Sequence, residues 1–364
     1  MAAGGRDEVD VAEAGGAKPA WSIDRGVAGE ALRRQQHIKR SPSPTPCDLD
    51  DAAHRGSLKP RALGTKPIRR HIGVVNVPPQ IFDRDTLRRR RDRAAGSVSL
   101  VEPVLREVAE RLLDRLDDVT RTFTQALDVG GRGVVAPMLR ARGISTVSCD
   151  LSAAMAARSG GPAVAADEEA LPFAAESFDL VVANLSLHAI NDLPGALIQL
   201  RRALRPDGLF LASLPALGTL AELRAALTET ELALSGGASP RVAPFPDLRD
   251  GAALLQRAGF ALPVADVENM TLHYATPFAL LRDLRAAGEA NVITQRSRVT
   301  PSKALFPRAL AAMPSSAGHL VCTLRLAILT GWAPSPSQPR PLQPGSAQHS
   351  LADALGDPGR LSRR

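Results

Sequence analysis

Cysteine is scarce in this 364-residue chain: Cys47, Cys149 and Cys322 are the three, far apart and unpaired in spacing. That excludes a clustered zinc site and suits a reducing cytosol. Aromatic residues make up 3% of the chain against 44% hydrophobic residues overall, so the interior must be mostly Leu, Val and Ala. No apolar run reaches about 18 residues, and no transmembrane helix is expected. The N-terminus lacks the apolar core of a secretory signal, and its early Asp7, Glu8, Asp10 and Glu13 do not suit a transit peptide. The expected location is therefore cytoplasmic. Lysine is rare, at five residues, and basic charge is unevenly placed. Residues 1–96 hold 19 Lys and Arg against 12 Asp and Glu, which accounts for the whole net charge of +7. Residues 97–364 balance at 26 against 26, so the folded part carries no electrostatic footprint for nucleic acid.

What is present centres on Ala126-Leu127-Asp128-Val129-Gly130-Gly131-Arg132-Gly133. A branched apolar run meets a glycine cluster and then resumes a helical pattern over Val134 to Leu139, which reads as buried strand, tight turn, helix. Glycine at such a turn lets backbone approach a ligand closely, and the helix that follows aims its free N–H groups there. Such a turn either binds a nucleotide-like ligand or merely connects two elements. A second strand over Ser145 to Asp150 ends in an acid, 22 residues after Asp128. That is the spacing at which a carboxylate takes a ribose diol in this architecture. Asp167-Glu168-Glu169 precedes a buried strand over Ser177 to Asn184. A helix over Ala196 to Leu204, a stop at Arg205-Pro206-Asp207-Gly208 and a strand over Leu209 to Ser213 continue the alternation. The fold class is α/β: a doubly wound, mostly parallel sheet with ligands at the carboxyl ends of its strands.

The length allows one large domain with appendages. Residues 1–75, with Ser41-Pro42-Ser43-Pro44-Thr45-Pro46, read as a disordered extension or a partner-binding arm, and 334–364 as a disordered tail. Residues 76–122 form a helical segment, in which Val101, Val104, Leu105, Val108, Leu112 and Leu116 keep helical spacing. Arg88 to Arg91 is a basic run that is either solvated surface or a contact for an acidic partner. The α/β domain covers 123–333. His188, in the loop after a central strand, either lines an acceptor pocket or organises its turn. Glu222, Glu229 and Glu231, on a helix over Leu220 to Leu234, either face a cationic substrate or are solvated. Residues 218–245 are placed as a lid over the carboxyl edge of the sheet. Val264 to Tyr274 reads as one or two further strands, expected as an antiparallel edge hairpin, and Leu320 to Trp332 as a last strand.

Asp128 to Gly133, Asp150, Asp167 to Phe173, Ser177 to Val181 and Leu204 to Gly208 resemble the motifs of class I S-adenosylmethionine-dependent methyltransferases. Ile81-Phe82-Asp83-Arg84-Asp85, Asn184 to His188, Asn191 to Pro194, Gly218 to Arg224, Ser239 to Phe245 and Gly288 to Asn291 resemble the narrower complex I assembly-factor-5 family. A more distant likeness is to the malonyl-carrier-protein methyltransferases. The resemblance implies S-adenosylmethionine as cofactor, held by Asp128, Gly130, Gly131, Gly133, Asp150, Leu151, Asp167, Glu168 and Asn184, with His188 at the acceptor. It also implies a protein substrate, a complex I subunit, and peripheral association with the respiratory membrane. Three functions follow: methyl transfer to a protein side chain, arginine hydroxylation on the same fold, or a non-catalytic assembly factor. The last is favoured by a glycine loop one residue shorter than the family's acid-x-Gly-x-Gly-x-Gly. A second departure from the family is Ala189, in place of an aromatic residue.

Overall fold

A strand buried on both faces needs a near-continuous apolar run, and Phe178–Asn184 is buried at all seven positions around Leu180 to Ala183, with Asp179 and Asn184 its buried polar members. The computed structural model describes residues 21–24, 80–247 and 251–338. Expectations for the rest of 1–75 and for 339–364 lie outside the described residues.

In chain order the strands are β1 (Trp21–Asp24), β2 (Gln125–Val129), β3 (Ser145–Asp150), β4 (Ala163–Ala165), β5 (Phe178–Asn184), β6 (Leu204–Pro215), β7 (Ala261–Tyr274), β8 (Ser315–Ser316) and β9 (His319–Trp332). The helices are α1 (Arg84–Ala94), α2 (Glu102–Leu113), α3 (Val135–Ala141), α4 (Ala153–Ala157), α5 (Leu193–Ala203), α6 (Ala221–Ser235), α7 (Gly251–Arg257), α8 (Pro277–Ala286) and α9 (Leu305–Ala312). Among the described residues these strands form one sheet in the order β1-β7-β9-β6-β5-β2-β3-β4, with β8 on β9. The ladders from β4 to β6 are parallel, and β9, β7 and β1 add antiparallel neighbours at one edge. The expected α/β sheet with an antiparallel edge is therefore what the chain forms.

Side-chain alternation sorts the core. Leu180 and Val182 of β5 join Leu105, Val108 and Leu112 of α2 on one face. Val181 and Ala183 join Leu197 and Leu200 of α5 on the other. Full burial of a Leu or Val is worth about 1.5–3 kcal/mol, so this central layer fixes the register of the whole sheet. A third cluster gathers α6, α8 and α9 around the ends of β7 and β9.

Three expectations change. Within the segment expected to be unstructured, Trp21–Asp24 pairs antiparallel with Thr271–Tyr274 of β7 as an edge strand. The helix stops before Arg205 to Gly208 as expected, but β6 already begins at Leu204 instead of Leu209, so that segment is a bulge inside the strand: Asp207 takes φ 60 and the β5 register shifts between Phe178 and Leu180. Arg91 does not belong to a solvated basic run, because it is fully buried.

Candidate active site

The turn after β2 lies where the strand order reverses, between β2 and its neighbour β5. Gly130 (φ 79) and Gly133 (φ 80) take left-handed backbone, and a Cβ at Gly130 would fall 2.1 Å from Ser186 Cβ. A Cβ at Gly133 would lie 2.8 Å from the Arg158 carbonyl. Only glycine fits either position. Gly131 differs: it has no such backbone demand, and a Cβ there would meet Ser148 at an ordinary 3.6 Å. The shortened loop is closed by Arg132, itself left-handed at φ 43. Its Nη2 donates to the carbonyl of Leu185, another left-handed residue, at 3.1 Å.

Asp128 is fully buried at the end of β2. Its Oδ2 accepts from Ala136 N at 3.2 Å and from Ser148 Oγ at 3.3 Å, while Oδ1 has no partner. Burial pushes its carboxyl up to about 7, against the pull of those two hydrogen bonds. Asp150 ends β3, also fully buried, with Oδ1 accepting from Ser152 N at 2.8 Å. Burial raises its carboxyl as well, and the Arg91 guanidinium opposes the rise.

Arg91 is the residue that joins the acids. Its Nη1 lies 3.3 Å from Asp150 Oδ2 and 3.1 Å from Glu168 Oε1, all three side chains being fully buried. Arg84, about two turns earlier on the same face of α1, donates to Asp167 Oδ1 at 2.6 Å and also to Glu168. Asp83 caps α1 through Thr86 N at 2.9 Å. Asn191 pins the residue before it, its side chain accepting from Phe82 N at 2.8 Å and donating to Phe82 O at 3.2 Å. The predicted acids are thus brought together, with α1 laid across them.

His188 sits in a 3-10 turn (Leu187–Ala189) after β5. Its Nε2 is 2.8 Å from Glu289 Oε2, and its Nδ1 is buried with no partner. Glu289 also pairs with Arg132. Burial works against the Glu289 charge, but His188 and Arg132 outweigh it and hold the carboxyl well below its usual range. The cluster forms one end of a cavity of about 290 Å³, walled by apolar residues such as Leu105, Leu223, Phe245, Leu280 and Phe306. Val242, Ala243 and Phe245 of the expected lid line it too. The lid is stapled by Arg224, which donates to Val242 O at 3.2 Å and Ala243 O at 2.6 Å, and by Asn291, which donates to Pro240 O at 2.8 Å.

Several assignments are corrected by these contacts. Asn184 does not reach the cleft: its amide donates to Leu105 O at 2.9 Å and accepts from Ser213 Oγ at 2.8 Å, tying α2 to the sheet. Leu151 packs among Phe82, Leu87, Ala189 and Val292. The α6 acids do not line the cavity. Glu222 is held by Thr323, Glu231 by Arg241 at 2.9 Å and by Ser239, and Glu229 is exposed. Arg84, Arg91, Arg132 and Glu289 lie in segments named from the sequence, but none of them was given a role at this site.

The residues suit S-adenosylmethionine. An orphaned buried carboxylate oxygen on Asp128 matches an ammonium, and the glycine turn leaves room that a Cβ would fill. Asp150 and Glu168 are acceptors for a diol and a purine, each with one oxygen paired to Arg91.

Comparison with known proteins agrees. A methyltransferase-domain family model matches residues 127–212. The mitochondrial arginine-hydroxylase NDUFAF5 of Danio rerio is 36% identical over 288 residues, covering 75% of this chain and 89% of that protein. Human NDUFAF5 is 34% identical over 326 residues, covering 85% and 90%. The malonyl-[acyl-carrier protein] O-methyltransferase of Methylovorus sp. is 35% identical over 273 residues, covering 70% and 90%. With these similarities over most of both lengths, the chain belongs to the class I S-adenosylmethionine-dependent methyltransferase family that includes the NDUFAF5 proteins and the malonyl-[acyl-carrier protein] O-methyltransferases.

Proposed function

We propose that this chain binds S-adenosylmethionine at the turn after β2 and modifies an arginine side chain of a protein substrate, a subunit of respiratory complex I. The observation that carries the reading is the His188–Glu289–Arg132 cluster, which joins the glycine turn to the apolar cavity. Asp128 would hold the cofactor's ammonium, Asp150 its ribose, and Asp167 with Glu168 its adenine. When bound, the cofactor supplies an electrophilic sulfonium centre. Glu289 accepts from His188 Nε2, which leaves the unpartnered Nδ1 as the basic nitrogen able to take a proton from the acceptor. Arg132 keeps Glu289 ionised, and so keeps the imidazole oriented. The apolar wall and the stapled lid exclude water, which strengthens each of these electrostatic contacts.

The NDUFAF5 relatives are named arginine-hydroxylases, which supports arginine as the target. Mass spectrometry of complex I subunits from cells with and without the gene tests it. Loss of one oxygen from an arginine identifies hydroxylation, and loss of one methylene identifies methyl transfer. Unchanged subunits refute the proposal. Calorimetric titration with S-adenosylmethionine separates an enzyme from an assembly factor that has kept only the fold.

A further inference from the structure

The cavity wall contains one buried charge that the site described above does not use. Asp283 of α8 lines it and is 4% exposed. Its Oδ1 accepts from Arg282 Nε at 3.2 Å, but Arg282 is itself 53% exposed and turned to solvent. Its Oδ2 is buried with no hydrogen-bond partner. The other charges lining the cavity are accounted for. Arg132 and Glu289 pair with each other, Arg241 pairs with Glu231, and Arg285 is exposed. Around Asp283 stand Leu280, Leu281 and Leu284 of its own helix and the only tyrosine, Tyr274. The Asp283 charge is close enough to help raise the Tyr274 phenol, after burial and Cys322.

A buried carboxylate oxygen without a donor is costly, and a chain that needed only packing would carry an apolar residue there. Burial raises the Asp283 carboxyl, and the exposed Arg282 offsets only part of that rise. A cation entering the cavity would supply that partner. Among biological cations a guanidinium fits best: it is planar, weakly hydrated, able to stack on aromatic faces, and carried on an apolar stem that matches the walls. An acceptor bearing a carboxylate, as a malonyl group does, would meet like charge instead.

We propose that Asp283 is the specificity-determining residue of the acceptor cavity, its free Oδ2 receiving the guanidinium of the substrate side chain. This rests on the reading that the cavity holds the acceptor. It reassigns to α8 the cation recognition expected from the acids of α6.

The test is equilibrium titration of the full chain, saturated with S-adenosylhomocysteine, with N-acetyl-arginine methylamide and with its neutral isostere N-acetyl-citrulline methylamide. The parent should bind the arginine probe at least about tenfold more tightly than the citrulline probe. In Asp283→Asn the two should bind within about twofold of each other, with cofactor affinity unchanged. Asp283→Asn should also melt no lower than the parent, whereas a purely structural aspartate would lose stability. A parent that does not prefer the arginine probe, or binds neither, overturns the proposal; so does a preference that survives in Asp283→Asn. The outcome is separable from the function: if complex I subunits lose their arginine modification without the gene, yet keep it in Asp283→Asn cells, the function stands and this assignment fails.

Discussion

Replacing Asp128 by Asn should stabilise the protein, and by an amount that grows with pH. The carboxyl is fully buried, one oxygen has no partner, and burial raises it to about 7. In the unfolded chain an aspartate titrates near 3.9. Between about pH 4 and pH 7 the folded chain therefore holds a proton that the unfolded chain has released, and rising pH favours unfolding. Each pH unit in that window removes ~1.4 kcal/mol, for a total of roughly 4 kcal/mol, an order-of-magnitude figure. Asparagine has no proton to lose. Its amide oxygen can still accept from Ala136 N and Ser148 Oγ, the partners of Oδ2 in the parent. Urea unfolding of parent and Asp128→Asn at pH 5, 6, 7 and 8 measures the gap. It should widen by ~3 kcal/mol from pH 5 to pH 7 and then level off. Titration of the other buried acids is common to both proteins and cancels to first order. Two stability curves that run parallel from pH 5 to pH 8 would refute the reasoning, since Asp128 would then be ionised in the fold throughout.

Three further outcomes follow from single contacts. Arg91→Met leaves Asp150 and Glu168 buried without their shared cation and should cost about 3–5 kcal/mol in urea unfolding, partly recovered by adding Glu168→Gln. Gly133→Ala forces a Cβ to 2.8 Å from the Arg158 carbonyl at φ 80; the turn must shift, and calorimetry should read at least about tenfold weaker S-adenosylmethionine binding. Glu289 is held ionised below its usual range, so it stabilises the fold above about pH 4.3, and that contribution is lost as pH falls further. Glu289→Gln should accordingly show a shallower fall in melting temperature below pH 4 than the parent.

The sheet was legible because its signals are local. Val129-Gly130 marks a strand end and a turn, Asp150 closes the next strand at ribose spacing, and β5 carries the unbroken apolar run Leu180 to Ala183. Arg205 to Gly208 kept their turn-like conformation but fell inside β6, as a bulge between Leu204, paired with Phe178, and Leu209, paired with Leu180 and Trp332. The edge strand Trp21–Asp24 needed β7, some 250 residues away, to make it a strand. The acids were found individually, but not what faces them: Arg91 meets Asp150 and Glu168 across separations of 59 and 77 residues. Nothing near Arg91 in the chain announces either partner.

One local signal did point to burial of a charge at Arg91 and at Asp283, neither of which was placed at the site from the sequence. On α1 the buried stripe is Leu87, Arg91, Ala94, at spacings of four and three. On α8 it is Ala279, Asp283, Ala286, again at four and three. Each places a charge on the apolar side of an amphipathic helix, where an uncompensated ion is too costly to persist without a purpose. The two differ in how the charge is met. Arg91 meets two carboxylates from within the chain and fixes α1 over the acids of the cleft. Asp283 has only an exposed neighbour on one oxygen and nothing on the other. By contrast the α6 glutamates, which drew attention by their number, lie on the polar side of their helix and are held by partners or solvated. A charge matched inside the fold serves the architecture, whereas one left unmatched at the wall of a cavity needs its counterpart from outside. That difference assigns Arg91 to the cleft and Asp283 to the substrate.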